Sequence, residues 1–376
     1  MLHNRLGIPR FFSSCEKFLG RGSLKALASL EGYHSIILTS PSVTMDEELV
    51  KSTVNYCQTI EKSVLIIPSG EPVLSELIPT LDSIMSIQPD WIVAIGGGSV
   101  IDAAKLLWVL YEQPNILDEK LTRPFSIGPM RKKARFVAVP TTPGTGSEVS
   151  SSAIFSFASG EQKKFLVSHE LLPDVVILDP RCLLFLPARI LTRSCFDALS
   201  HAIEGYVSKN LNSFCDIHAE KAVSIIFENL IRGLKSGESY FEREKLQYAA
   251  LLAGWVQNIK IPGIGHAVGH KLGHLGLSHG EAVGALLVPS IRFNMQCPKT
   301  LTKYNLLSKS LGLKDAEGLI SKLIGLMEET AKLSVPKSYL QDISQNFIDD
   351  VLEDPCARAN PISLNRDKIE QFCNSL

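Results

Sequence analysis

The stretch IGGGSVIDAAK, residues 95–105, decides the fold. It closes the apolar run WIVAI (91–95) with three consecutive glycines, then opens a segment whose apolar residues recur at helical spacing. Glycines there let the backbone approach a diphosphate, and the N–H groups of a helix start bind its charge. The spacing is not G-x-G-x-x-G, and the same letters suit a plain turn in which Ser99 caps the helix and Asp102 completes the cap. Working outward, HSIILT (34–39), VLII (64–67) and FVAV (136–139) are further buried-strand runs, separated by helical stretches at 46–60 and 73–86. That alternation predicts a parallel, doubly wound sheet. AIFSF (153–157) and KFLVS (164–168) read as a hairpin, and VVIL (175–178) as one more strand.

A second loop, PTTPGTGSEVS (140–150), follows FVAV and is dense in hydroxyls and glycine. Alone, such a loop can bind a nucleotide or merely satisfy its own turns. Two such loops after neighbouring strands of a parallel sheet open on one edge, where ligands of such sheets bind, and the pair favours a nucleotide.

After Asp179-Pro180 the alternation stops, and amphipathic stretches at 213–235, 241–257, 281–296, 315–333 and 366–374 predict an all-helical second half. The boundary is expected between Pro180 and Leu186, giving domains 1–181 and 182–376. Within the second half Asp197 and His201 are four apart, as are His266, His270 and His274, with His279 following. Residues i and i+4 share a helix face, so both segments can aim ligands at one ion. A single Asp–His pair reads more simply as a helix-surface contact, but this concentration of ligands in apolar segments favours a metal.

The chain has 376 residues, 38 Lys plus Arg against 39 Asp plus Glu, and 45% hydrophobic residues. That length suits two domains, and the balanced charge lacks the basic excess of a nucleic-acid binder. No apolar run reaches the roughly 18 residues needed to cross a bilayer. Eight scattered cysteines without a C-x-x-C pair suit a reducing cytosol, so a cytoplasmic location is expected. Arg5 and Arg10, with no acid among the first fifteen residues, give that segment a faint likeness to an organellar transit peptide, although an entry into a first strand explains the same letters.

Taken in order, LGRGSLKAL (19–27), GGGSVIDAAK, PTTPGTGSEVS, LPDVVILDP (172–180), LPARILTRSCFDALSHAIEGYVS (186–208), HAVGHKLGHLGLSHGEAVGALLVPSIRFN (266–294) and ANP (359–361) resemble the iron-containing, metal-dependent alcohol dehydrogenases over nearly the whole chain. The resemblance implies a dehydroquinate synthase-like fold, with a Rossmann-like α/β domain followed by an all-α domain. It implies that Asp197, His201, His266 and His279 bind a divalent metal, Fe(II) or Zn(II), and that His270 stands near the nicotinamide of NAD(P). It places Gly97, Gly98 and Ser99 on the cofactor diphosphate with Asp102 close by, Thr141, Thr142, Thr145 and Ser147 along the nucleotide, and Lys164 at the ribose. Two departures stand out: the interval from His266 to His279 is one residue short, and His274 stands where many members carry glycine.

The activity so implied is hydride transfer between an alcohol and its aldehyde or ketone, with the metal as Lewis acid and His270 as the candidate proton carrier. The partners expected are a small alcohol or aldehyde and a second copy of the chain in a homodimer, with neither nucleic acid nor membrane. A sugar-phosphate cyclase on the same fold and a metal hydrolase are the alternatives. Where the family commonly ends its first strand in Thr-Asp, this chain has Thr39-Ser40. Loss of that carboxylate removes the repulsion of a 2′-phosphate, so acceptance of NADP(H) with a weak preference is expected.

Overall fold

The computed structural model describes residue 13 and residues 15–235, 239–273, 277–330, 333–336 and 344–376. The transit-like letters before Ser13, and His274, lie outside the described residues. Two compact units divide between Leu186 and Pro187; the second half of the chain returns to the first unit for the segment ending at Gln247.

The first unit is built on a six-stranded sheet of β1 (Glu16–Leu19), β2 (His34–Thr39), β3 (Glu61–Ile66), β4 (Trp91–Gly96), β5 (Arg135–Pro140) and β8 (Val175–Leu178), in the order β1-β8-β5-β4-β2-β3. Every pairing in it is parallel. A separate antiparallel hairpin joins β6 (Ser152–Phe155) to β7 (Lys164–Val167). The inner strands β2, β4 and β8 are buried at every residue, as a sheet covered on both faces requires, and successive side chains alternate between two cores. Ile36, Leu38, Ile92 and Ala94 join one; Ile37, Val93, Ile95 and Val137 join the other. At the edge, β3 alternates and exposes Glu61 and Lys62, charges that discourage a further strand from pairing there.

The helices of this unit are α1 (Pro41–Thr44), α2 (Glu47–Tyr56), α3 (Leu74–Ile87), α4 (Gly98–Glu112) and α5 (Asp118–Thr122). Asp46 caps α2 by accepting from Leu49 N (3.0 Å), and α3 stops at Gln88, whose φ of 53° ends the helical path. α4 is buried along nearly its whole length, and Trp108 in it stacks on Phe136 with ring centres 5.2 Å apart. The chain runs from β2 to β3 on one side, then crosses to β4 on the other. The β2/β4 boundary is therefore the topological switch point, and Ser40 and Gly97 follow the two strand ends there.

The second unit consists of helices: α6 (Ala188–Val207), α7 (Ser213–Lys235), the later part of α8 (Tyr240–Lys260), α9 (Ile264–Leu272), α10 (His279–Asn294), α11 (Pro298–Ser310), α12 (Ala316–Thr330), α13 (Gln345–Glu353), α14 (Pro355–Ala359) and α15 (Arg366–Asn374). α6 is the hub, packed on α7 and α10, while α9 packs on α10, α13 and α14. Ile264, Val268, Leu286, Ile348 and Phe372 form the apolar core behind α9. No described helix is long and apolar enough to cross a membrane.

Candidate active site

Three helices of the second unit converge on one polar cluster. α6 carries Asp197, His201 and Glu204 at i, i+4 and i+7, a single helical face. α9 carries His266 and His270 one turn apart, and His279 is the first residue of α10. Asp197 Oδ1 lies 3.3 Å from His279 Nε2 and 3.7 Å from both His201 Nε2 and His266 Nε2. The His201 and His266 rings stack with centres 4.5 Å apart. One ligand atom from each of Asp197, His201, His266 and His279 falls within 4.8 Å of every other. Asp197, His201 and His266 are buried, and His279 is partly exposed.

Asp197 Oδ1, His266 Nε2 and His201 Nδ1 are buried without a hydrogen-bond partner. Unpaired polar atoms in a protein interior are expensive, and an Asp oxygen and an imidazole nitrogen facing each other at this spacing form the donor set of a divalent cation. The residues present therefore fit a metal ion. Burial alone would raise the Asp197 carboxyl, but His201 and His279 outweigh it and hold it well below the usual carboxylate range. Burial pushes His201 down to about 3, a ring held neutral with its lone pair available.

The supporting shell contains residues that sequence reasoning missed. Burial would lower His266, yet the facing Asp197 carboxylate and the bonded Glu204 carboxylate raise it to about 9. His266 Nδ1–H donates to Glu204 Oε2 (2.5 Å), an arrangement that fixes the tautomer and turns Nε2 toward Asp197. The same carboxylate accepts from the backbone of Gly265 (2.7 Å) and His266 (3.3 Å), so it also satisfies the first turn of α9. Asn360 does likewise: its Oδ1 accepts from Ile264 N (3.1 Å) and its amide pairs with that of Asn294. This gives the ANP element a structural task. His270 Nδ1–H donates to Asp354 Oδ2 (2.9 Å); burial lowers the His270 pKa, with Asp354 opposing.

In the first unit the two loops open on one sheet edge, since β4 and β5 are parallel neighbours and Thr141 N bonds to Gly96 O (2.9 Å). Gly97, not Ser99, is the N-cap of α4, and no side chain caps that helix. Ser99 is exposed in the first turn, and Asp102 lies one turn on with Oδ2 accepting from Ile154 N (3.0 Å). The Ser99–Asp102 cap suggested by the sequence is not formed. A Cβ on Gly98 would stand 2.5 Å from the Thr145 side chain, and one on Gly97 3.2 Å from Thr142 Oγ1. The glycines thus let the two loops pack together, a requirement additional to room for a ligand. Thr145 Oγ1 donates to Ser147 Oγ (3.1 Å). Lys164 begins β7 opposite Phe155, and Ser40 is buried with its Oγ 3.0 Å from Ser42 Oγ.

A parallel sheet with glycine loops after its inner strands, joined in sequence to a helical unit bearing a His3Asp cluster, fits a metal-dependent enzyme that also uses a nucleotide. Residues 16–180 match the iron-containing alcohol dehydrogenase family and residues 192–376 match the family's C-terminal domain, so the chain belongs to the iron-containing alcohol dehydrogenases. It is 30% identical to the NADPH-dependent butanol dehydrogenase of Clostridium saccharobutylicum, across 96% of each chain. It is 33% identical to aldehyde-alcohol dehydrogenase 2 of Entamoeba histolytica, covering 90% of this chain and 43% of that protein. The solved iron-containing alcohol dehydrogenase of Thermococcus thioreducens superposes with a TM-score of 0.89 at 27% identity, covering 97% of this chain and 99% of that one. The activity is accordingly that of an oxidoreductase interconverting alcohols and carbonyl compounds with NAD(P) and a metal. The cyclase and hydrolase alternatives are not favoured.

Proposed function

We propose that residues 182–376 bind one divalent ion through Asp197, His201, His266 and His279, and that residues 1–181 bind NAD(P). The observation carrying this reading is the set of buried, unpaired ligand atoms on Asp197 and His266 within the four-residue cluster. A bound ion supplies Lewis acidity toward an alcohol or carbonyl oxygen, and a bound nicotinamide supplies the hydride acceptor or donor. Glu204 holds His266 in the tautomer that presents Nε2. Asp354 accepts a hydrogen bond from His270 Nδ1–H, a tautomer that leaves Nε2 as the ring's basic nitrogen and suits this residue to carry the hydroxyl proton.

Gly97, Gly98 and Ser99 present the uncapped start of α4 to the diphosphate. Thr141, Thr142, Thr145 and Ser147 line the nucleotide, Asp102 braces the neighbouring hairpin, and Lys164 reaches the ribose. Ser40 replaces an acid at the adenosine end, and a relative named as NADPH-dependent agrees with acceptance of NADP(H). Iron(II) is the ion the family name implies; imidazole and carboxylate accept zinc as well. The eight cysteines are free thiols, in keeping with a cytosolic setting, and a homodimer is the assembly we expect. Steady-state absorbance of the reduced nicotinamide, over a panel of alcohols and aldehydes with Fe(II)- and Zn(II)-loaded protein, tests the proposal. Turnover that depends on the metal supports it, and none with any pair overturns it.

A further inference from the structure

Lys105 is fully buried, and its ammonium lies beneath the second loop. Nζ donates to the backbone carbonyls of Ser147 (2.7 Å), Ser150 (2.7 Å) and Ser152 (3.0 Å). An ammonium has three protons, so these three acceptors use its whole donor capacity. Three residues earlier on the same face of α4, Asp102 accepts from Ile154 N (3.0 Å). One helix face therefore grips residues 147–154 through main-chain atoms alone.

Burying a lysine is costly, and a loop can be tied with a neutral amide instead. Burial pushes the Lys105 ammonium down to about 8, with Asp102 and Glu148 opposing. What the cation achieves is convergence: three carbonyls of one short segment point at one atom. The segment continues backward through Gly146, whose left-handed φ of 64° makes the turn, into Thr145, and the Thr145 side chain packs on Gly98. A side chain that fixes 147, 150 and 152 also fixes where Thr145 meets the start of α4.

We propose that Lys105 is a positioning residue for the cofactor, one that touches no substrate and sets dinucleotide affinity by holding the 145–152 loop in shape. The inference rests on the assignment of the two loops to the dinucleotide. The test compares full-length Lys105→Met, Lys105→Gln and Gly98→Val with the parent in the metal-loaded state. NADPH is titrated by calorimetry, KM is separated from kcat, metal is counted, and hydrogen exchange is followed by mass spectrometry. For Lys105→Met we expect NADPH binding weaker by roughly 10- to 100-fold, the scale of leaving buried carbonyls without a donor. Full metal, little change in kcat at saturating cofactor, and faster exchange confined to residues 147–154 should accompany it. Lys105→Gln, which keeps a donor, should fall between, and it carries the test if the Met variant does not fold. NADPH affinity within about threefold of the parent in folded Lys105→Met, or unchanged affinity in Lys105→Gln if the Met variant does not fold, overturns the inference. So does a parallel loss of melting temperature, metal and kcat with KM unmoved. If Gly98→Val also binds NADPH normally, the assignment of the loops fails; if Gly98→Val loses binding while the Lys105 variants keep it, only the role of Lys105 fails.

Discussion

The imidazole cluster of α6, α9 and α10 and the glycine loops after β4 and β5 handle polar atoms in opposite ways. In the cluster, Asp197 Oδ1 and His266 Nε2 face each other at 3.7 Å, both buried with no hydrogen-bond partner. Leaving such an atom unpaired costs about 1–3 kcal/mol, a cost that an ion held between Asp197 Oδ1 and His266 Nε2 would offset. In the loops, Thr145 bonds to Ser147, Ser150 to Ser152, and Lys105 to three carbonyls. These loops hold much of their own polar capacity in internal bonds, and the backbone N–H groups at the start of α4 are left without a side-chain cap. On the proposed assignment an ion would complete the second unit's internal balance, whereas the dinucleotide would meet a surface already formed.

That contrast orders what substitutions should do. Gly98→Val drives a Cβ into the β-branched Thr145 and should weaken dinucleotide binding by roughly 100-fold or more through overpacking, while bound metal stays at the parent level. Calorimetry beside elemental analysis checks both halves; a loss of metal as well would blur the separation of the two regions. Glu204→Gln keeps the size but removes the carboxylate facing His266, and metal affinity should fall roughly 10- to 100-fold with dinucleotide affinity unmoved. Competition with a chromogenic chelator measures it.

Ser40→Asp restores a carboxylate at the end of β2 and should move the kcat/KM ratio toward NAD by roughly tenfold. A parent enzyme that prefers NAD a hundredfold would show that another group replaces the missing acid. The smallest effect concerns pH. Burial pushes the Lys105 ammonium down to about 8, with Asp102, Glu148 and Cys15 opposing. Above that pH the amine has one N–H fewer for three carbonyls, so NADPH affinity should decline as pH rises through 8, by roughly three- to tenfold. The same titration on Lys105→Met should be flat.

How much of this the sequence disclosed follows from where the information sits. β2 and β8 are legible to the residue because strands buried on both faces need unbroken apolar runs. The start of β3 is hidden because Glu61 and Lys62 belong to an exposed edge, and β1 is a four-residue edge strand with no pattern. Most of α6 is buried, polar residues included. Asp197 and His201 nevertheless stand out, since ligand chemistry lies in the side chains. Glu204 and Asp354 do not: each lies far along the chain from the histidine it supports and looks like any surface acid until the fold brings it to Nδ1. For the loops, glycine shows that close approach is allowed and not what approaches. Hence the letters also suit a Ser99 cap where Gly97 serves, and the contact of Gly98 with Thr145 has no trace in them.

The most direct test of the metal assignment counts ions. Parent protein and the Asp197→Ala, His201→Ala, His266→Ala, His279→Ala and His274→Ala variants are loaded anaerobically with Fe(II), desalted and measured by elemental analysis. We expect about one ion per chain in the parent and in His274→Ala, and under about a tenth of that in each of the other four. A His279→Ala protein that keeps its ion while His274→Ala loses it, or a folded parent that holds none, would contradict the four-ligand site.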